Sequence, residues 1–528
     1  LRSLVRLLVP LSLVLTVYLH LYPLFLACGF PLPSSAPAPA PAPTYRGQLA
    51  AWLETLKLHL SSSPSLSHRL APFRLLAIGD PQLEGDTSIP NAYSDSSFPH
   101  LDAFFARLAT RTSEYPTARA STKQALHDLV DFCFDDIPNT LESVRKRIDL
   151  FGNDLYLAHM YRTLRWWTLP THVTVLGDLL GSQWISDDEF ARRGARYWDR
   201  VFEGGERVPD QVAAWPGTHA AATGVLDTAL RNATWQRRII NVAGNHDIGY
   251  AGDITQERMD RFERVFGKAN YELRFDLAAE ALSVEAADSV RAQHADRLAP
   301  QLRIVNLNDL NLDTPAANIH IQDETYRFIN HLIDSSPAVE HKGHFTVLLT
   351  HVPLYKAAGI CVDAPYFSFH DEDGTLKEQN QLSADASRGI VQGVFGLSGD
   401  PTGPGRGQGR RGVILNGHDH EGCDTYHFIN QSHGASAEER DWQATPWRSA
   451  ATQGIALDAA HPGVREITVR SIMGGYGGNA GLLSAWFDED SWEWRFEYAE
   501  CALGTQHIWW AVHILDLVTV VAVVAYAV

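Results

Sequence analysis

Six short apolar runs, each closing on a polar turn, constrain this chain most. They are RLLAI before Gly79, HVTVL before Gly177, RIINVA before Gly244, LRIVNL from Leu302, HFTVLLT from His344 and GVILN from Gly412. Strands that are apolar along their whole length, rather than at alternate positions, are buried on both faces. They therefore need a layer on either side. Helical periodicity between them offers those layers and predicts helices over 140–165, 186–202, 256–266 and 323–333. Alternating strands and helices point to an α/β core. From Arg465 the pattern changes. REITVRSIM and LLSAWF…SWEWRFEY read as strands with no helix between them, closing a second sheet or extending an edge, with a hairpin turn at DEDS from Asp488. The segments 398–412 and 430–447 are expected as mobile surface loops. The first is Gly-rich but lacks the Lys-Ser/Thr ending of a phosphate loop.

Both ends of the chain are apolar. Residues 4–30 carry almost no polar side chain, with Arg2 and Arg6 at their start, and are long enough to span a bilayer. An uncleaved anchor is favoured over a secretory signal cut near ACGF at Ala27. The chain opens on Leu rather than Met, so a trimmed N-terminus is expected. The run from Ile508 to Val528 is a second span, expected to be truncated at Val528, with Trp509 and Trp510 at a membrane interface. Arg2 and Arg6 put the N-terminus in the cytosol and the body on the far side, in the secretory lumen. The sequons at Asn232 and Asn430 agree. Residues 31–70 form a Pro/Ala-rich linker and pre-domain segment, the linker extended and semi-rigid. The body is expected over 71–503 and the second span over 504–528. Cys28 falls in the first span. Cys133, Cys361, Cys423 and Cys501 can form two disulfides in any of three pairings, or remain free thiols. The formal net charge of −18, with no basic block, excludes a nucleic-acid partner.

Chemistry sits at the strand ends. Asp80 follows the first strand, Asp178 the second, GNHD (Gly244 to Asp247) the third, His351 the fifth, and GHDH (Gly417 to His420) the sixth. Sites in α/β sheets form outside the carboxyl ends of the strands, so five distant segments can converge. Carboxylates, imidazoles and an amide oxygen suit first-row divalent ions without any thiolate. One carboxylate shared between two ions would hold them close enough to activate water and neutralise a phosphoryl group.

The series GD…GD…GNHD…H…GHxH resembles the calcineurin-like metallophosphoesterase superfamily. The resemblance implies a four-layer α/β/β/α sandwich, here between N- and C-terminal transmembrane helices. It implies that Asp80 and His420 hold one metal, that Asn245, His351 and His418 hold the other, and that Asp178 bridges them. His246 would stand near the leaving group and Asp247 would orient it. The first motif departs from the usual D-x-H: it reads DPQ, with Gln82 at the His place. Gln82 would offer a carbonyl oxygen to one metal or leave that position to water. DPQ, GSQWISDDEFARRGARYWDRVF from Gly181 and SIMGGYGGNAGLL from Ser471 are similar to a lumenal subgroup that acts on glycosylphosphatidylinositol (GPI) anchors, closest to its fungal branch. That subgroup removes ethanolamine phosphate from a mannose. The resemblance therefore implies a phosphodiesterase of the endoplasmic reticulum membrane with two divalent ions, manganese first, iron or zinc next. Its partners would be GPI-anchored proteins as substrates, membrane lipid and cargo receptors of export. Trp184 and Tyr476 are the aromatics placed to pack against a sugar. A lumenal phosphomonoesterase and a non-catalytic export factor are the competing readings.

Overall fold

In the computed structural model the described residues are 1–34, 45–60, 70–92, 94, 96–109, 118–215, 223–226, 234–291, 297–432 and 441–528. Most of the Pro/Ala linker (35–44) and Asn232 lie outside them.

The strands in chain order are β1 (Phe73–Ile78), β2 (His172–Val175), β3 (Glu206–Arg207), β4 (Gly224–Leu226), β5 (Arg238–Asn241), β6 (Tyr271–Leu277), β7 (Arg297–Asn306) and β8 (Lys342–Leu349), then β9 (Phe367–Phe369), β10 (Leu376–Gln379), β11 (Gly412–Asn416), β12 (Cys423–Ile429), β13 (Trp442–Pro446), β14 (Gly463–Thr468), β15 (Asn479–Asp488) and β16 (Glu493–Ala502). Among the described residues they form one sheet in the order β16-β15-β1-β2-β5-β3, a second in the order β13-β12-β14-β11-β8-β7-β6-β4, and a small separate pair of β9 and β10. β1, β2 and β5 run parallel, as do β7, β8, β11 and β14.

The unbroken apolarity of these strands follows from four layers. Along β1, Phe73, Leu75 and Ala77 join Ile304, Val347 and Val413 in the core between the sheets. Leu76 and Ile78 point the other way and pack with Tyr161 and Leu164 of an outer helix. On the far side Leu348 and Ile414 meet Phe328 and Ile390 of the opposite helix layer. The protein is an α/β/β/α sandwich with an apolar helix at each end.

The C-terminal strands are divided between the sheets. β14 joins the second sheet beside β11, whereas β15 pairs antiparallel with β1 and carries β16 at the edge of the first. The segment 430–447, expected as a loop, ends in β13, which pairs with β12. The helix expected over 140–165 is much longer. Ala118–Asp131, a single π turn at Phe132–Asp136, and Ile137–Thr168 follow one another with helical backbone at both junctions.

The terminal helices, Arg2–Phe25 and Gln506–Ala527, have mean hydropathies of 2.0 and 2.1 and are long enough to cross a membrane. Ser12 and Thr16 of the first donate hydrogen bonds to Asp516 of the second. The polar intruder is thereby satisfied inside an apolar pair.

The cysteine expectation is corrected. The first helix ends at Phe25, so Cys28 lies beyond it and pairs with Cys501, while Cys361 pairs with Cys423 and Cys133 is free. Apolar composition carried the expected span past the helix end. Non-reducing peptide mapping should find these two cross-links and an alkylated Cys133; any linkage through Cys133 would contradict the fold.

Candidate metal centre

Strands β1, β2, β5, β8 and β11 all end at one edge of the sandwich, which brings their following residues together. Two groups of ligand atoms result, each with its members within 4.8 Å of one another: Asp80, Asp178 and His420, and Asp178, His351 and His418. Asp178 belongs to both. Asn245 adjoins the second group, its Oδ1 lying 2.9 Å from His351 Nε2.

The backbone is bent to make this approach. Asp80, Gln82, Asp178 and His418 all have positive φ, between 40° and 71°. Left-handed backbone costs a non-glycine residue about 1–2 kcal/mol, and such strain gathers where function requires it. The glycines beside the ligands serve the same approach. A Cβ on Gly244 would lie 2.0 Å from the Asp178 amide nitrogen, and one on Gly177 would lie 2.2 Å from His351 Nδ1. Gly244→Ala is expected to displace Asp178 and abolish metal retention. Elemental analysis of the purified variant checks this; normal metal content would refute it.

Hydrogen bonds fix the tautomers. His351 Nδ1 donates to the Leu176 carbonyl at 2.8 Å, leaving Nε2 toward Asp178 at 3.3 Å. His418 Nε2 donates to the Gln379 carbonyl at 2.9 Å, leaving Nδ1 as its ligand atom. The His418 amide donates to Asp80 Oδ1 at 3.0 Å. Asp80 Oδ2 is fully buried and has no hydrogen-bond partner. An orphaned buried carboxylate oxygen is what a metal ligand looks like before its ion is considered.

The electrostatics agree. Burial pushes Asp80 up to about 8, against the pull of His351. Burial opposes charge on His351 too, but Asp178 and Asp80 outweigh it and raise it to about 10. These acids demand positive charge at their centre. Burial lowers His418 to about 3 and also lowers His420, so both are neutral imidazoles, the form that ligates. The donor set therefore fits two divalent ions.

Two expected roles look different in the structure. Gln82 turns its amide nitrogen, not its oxygen, to the acids: Nε2 donates to Asp178 Oδ2 at 2.9 Å and lies 3.1 Å from His420 Nε2. In this orientation it is a donor that holds Asp178 rather than a ligand. Asp247 was expected to orient His246. Its carboxylate instead accepts from the amides of Gly244, Leu179 and Leu180, tying the GNHD turn to the turn after Asp178. Burial pushes it up to about 7. His246 Nε2 stands 3.8 Å from Asp178 Oδ2 with its ring partly open.

A cavity of about 450 Å³ opens over these residues, lined by Gln82, Asp178, Trp184, His246, Tyr250 and His420 among others. Trp184 is exposed and stacks under the Arg258 guanidinium. Tyr476 lies in a short turn, Gly474–Tyr476, whose side chains are not all described. Asn430 lies away from the centre, its Oδ1 accepting from the Ser432 amide.

Sequence reading missed Asp309. It is fully buried, its Oδ1 accepts the amides of His351 and Val352, and burial pushes it up to about 7. The signal was present: β7 was the one strand of the six given no residue at its end, and Asp309 follows it by three positions.

No family model matches the chain. Among curated proteins, Protein TED1 of Saccharomyces cerevisiae is 33% identical over 418 residues, covering 71% of this chain and 77% of that protein. An uncharacterized protein of Schizosaccharomyces pombe is 25% identical over 377 residues, 70% of this chain and 78% of its own length. Metallophosphoesterase 1 of Danio rerio is 21% identical over 292 residues, 53% of this chain and 60% of its own. With five strand ends meeting at a shared carboxylate and the match to Protein TED1 covering most of both chains, this chain belongs to the calcineurin-like metallophosphoesterases, in the fungal branch that includes Protein TED1.

Proposed function

We propose that the protein is a dinuclear phosphodiesterase that removes ethanolamine phosphate from a mannose of GPI anchors. The observation that carries the dinuclear reading is the sharing of Asp178 between two ligand groups. Asp80 and His420 would complete one ion's set, and His351, His418 and Asn245 the other's. Manganese is the first candidate, with iron or zinc suited to the same donors. When bound, the ions supply Lewis acidity and neutralise phosphoryl charge.

The chain's own residues do the rest. Gln82 holds one oxygen of Asp178, and the His246 amide holds the other at 2.9 Å. His246, its ring open to the cavity, donates a proton or hydrogen bond to the leaving sugar oxygen. The cavity wall carries Asp253, Asp363 and Glu378 together with Lys377, a mixed rim that suits a group bearing both phosphate and ammonium. Trp184 offers an aromatic face to the sugar.

The membrane position supports a lipid-linked substrate. Ser471 Oγ donates to the Asp80 carbonyl, the Asn479 amide to the Ser471 carbonyl, and the Leu503 amide to the Gly478 carbonyl. Gln506, three residues on, begins the C-terminal helix. The second span thus leaves the body at the edge that carries the metal centre. Two disulfides favour an oxidising compartment. Together these support a body in the lumen of the endoplasmic reticulum, modified at Asn430 and Asn232, with GPI-anchored proteins as substrates.

Purified full-length protein loaded with manganese should release ethanolamine phosphate from GPI glycans, read by mass spectrometry, and chelation should stop it. Absence of release with metal bound would sink the proposal. His246→Ala should lower turnover by about 10²–10⁴-fold, the usual worth of general acid catalysis, with metal content unchanged. Loss of metal from that variant would make His246 a structural residue instead.

A further inference from the structure

Ahead of the buried turns that carry Tyr161 and Leu164, the long helix turns a row of apolar residues outward. From Leu126 through Val130, Phe134, Leu141 and Ile148 to Leu155, an exposed large apolar residue returns every three or four positions. The row runs about 44 Å at 1.5 Å per residue. Phe134 is 76% exposed and Leu141 66%. Three acids of the same helix are buried instead. Asp128 pairs with Arg107 at 2.6 Å, Asp136 with His100 at 2.7 Å, and Asp154 with Arg196 and Arg200 at 2.8 and 2.7 Å. A helix in water turns its apolar stripe to the core and its charges outward. An unbroken exposed stripe this long marks contact with something apolar.

The neighbours of the helix indicate what that is. Gly152 touches the Trp510 ring so closely that a Cβ there would lie 1.8 Å from it. Asn153 accepts a hydrogen bond from Gln506, the first residue of the C-terminal span. Farther along, the His159 ring donates to the Leu19 carbonyl at 2.8 Å. Leu19 lies six residues inside the end of the first span at Phe25, which is about 9 Å of helix. The long helix therefore meets both spans below their ends. Amphipathic helices that lie in a membrane surface bury their apolar face about 5–10 Å, to the boundary of headgroups and acyl chains. The spans that it meets expose apolar residues of their own, Leu13 and Leu517 among them.

We propose that this helix is an interfacial arm, its stripe from Leu126 to Leu155 embedded in the leaflet that the two spans cross. The arm fixes the tilt of the body on the bilayer. This is independent of the catalytic reading.

The test uses the full-length chain reconstituted in phosphatidylcholine vesicles. Nitroxide labels are placed at Leu141→Cys and Ile148→Cys in a Cys133→Ser background, with the exposed Asn139→Cys, about half a turn of the helix away from both, as comparator. At 141 and 148, collisions with oxygen should exceed collisions with a water-soluble nickel chelate, and the order should reverse at 139. Free access of the nickel chelate at 141 and 148 would put the stripe in water and overturn the proposal. Shielding from both reagents would mean a protein partner, and spin–spin broadening would identify a second copy; either overturns it. If a variant misfolds, native Cys133 serves in the unchanged chain. It is exposed, three residues after Val130 and four before Ile137, on the same face. The same oxygen preference is expected there.

Discussion

Asp178→Asn should strip metal from both halves of the centre at once, because its carboxylate is common to the two ligand groups. The change keeps one oxygen for the His246 amide, so the GNHD turn should persist. His420→Ala is the contrast: it belongs only to the group with Asp80 and should cost one ion of the pair. Elemental analysis of the purified variants reads the difference directly. Turnover of Asp178→Asn should fall at least about 100-fold, or about 2.7 kcal/mol of barrier at 1.36 kcal/mol per tenfold. Full metal content in that variant would contradict the shared-ligand reading. The fold should survive, because Asp247 also ties the two turns together, through three backbone amides.

Removing Glu466 should have the largest effect on stability. This fully buried residue of β14 accepts from Lys356 Nζ at 2.6 Å, Asn416 Nδ2 at 2.7 Å, the Leu354 amide at 2.7 Å and Thr425, and lies 2.7 Å from His427 Nε2. It thus joins the turn after β8, which carries His351, to the strand that carries His418. Glu466→Ala leaves the buried Lys356 ammonium without its counter-charge, a loss of about 3–5 kcal/mol. Thermal unfolding in detergent measures it. The pH dependence has a definite sign. Burial alone would raise the Glu466 carboxyl above its usual 4.5, but Lys356 and His427 outweigh burial and hold it far below. A depressed carboxylate contributes stability above its unfolded pKa and loses it as pH falls through the folded one. The wild type should therefore lose stability below about pH 4.5, where the unfolded carboxyl begins to take up protons. Glu466→Gln should show a shallower acid loss. Parallel acid profiles would show that the carboxylate carries no such linkage.

Much of the candidate centre was legible because each candidate ligand sits one or a few residues past an apolar strand. Asp80, Asp178, His351, His418 and His420, which the structure brings together, and Asn245 beside them were all singled out this way. Asp309 obeyed the same rule and was passed over, because a lone acid after a strand resembles a turn. The role of Gln82 was not legible. A side-chain amide presents donor and acceptor alike, and only the position of Asp178 Oδ2 turned the donor inward. The partners of Asp247 were not legible for a similar reason, since adjacency to His246 says nothing about which amides its oxygens reach. Cys28 was assigned to the span by composition, yet the helix stops three residues before it.

The sequence by itself determined the layered α/β architecture, the two apolar ends and the ligand types, because these follow from local periodicity and from chemistry carried within a few residues. Tertiary structure decided what depends on distant segments meeting. It divided the ligands into two groups around Asp178, paired Cys28 with Cys501 across 473 residues, and set the second span at the edge of the metal centre. It also turned the stripe of the long helix outward. A period of three and four reads the same whether the apolar face meets a core or a membrane. Only the burial of Asp128, Asp136 and Asp154 against their basic partners fixes which side faces in.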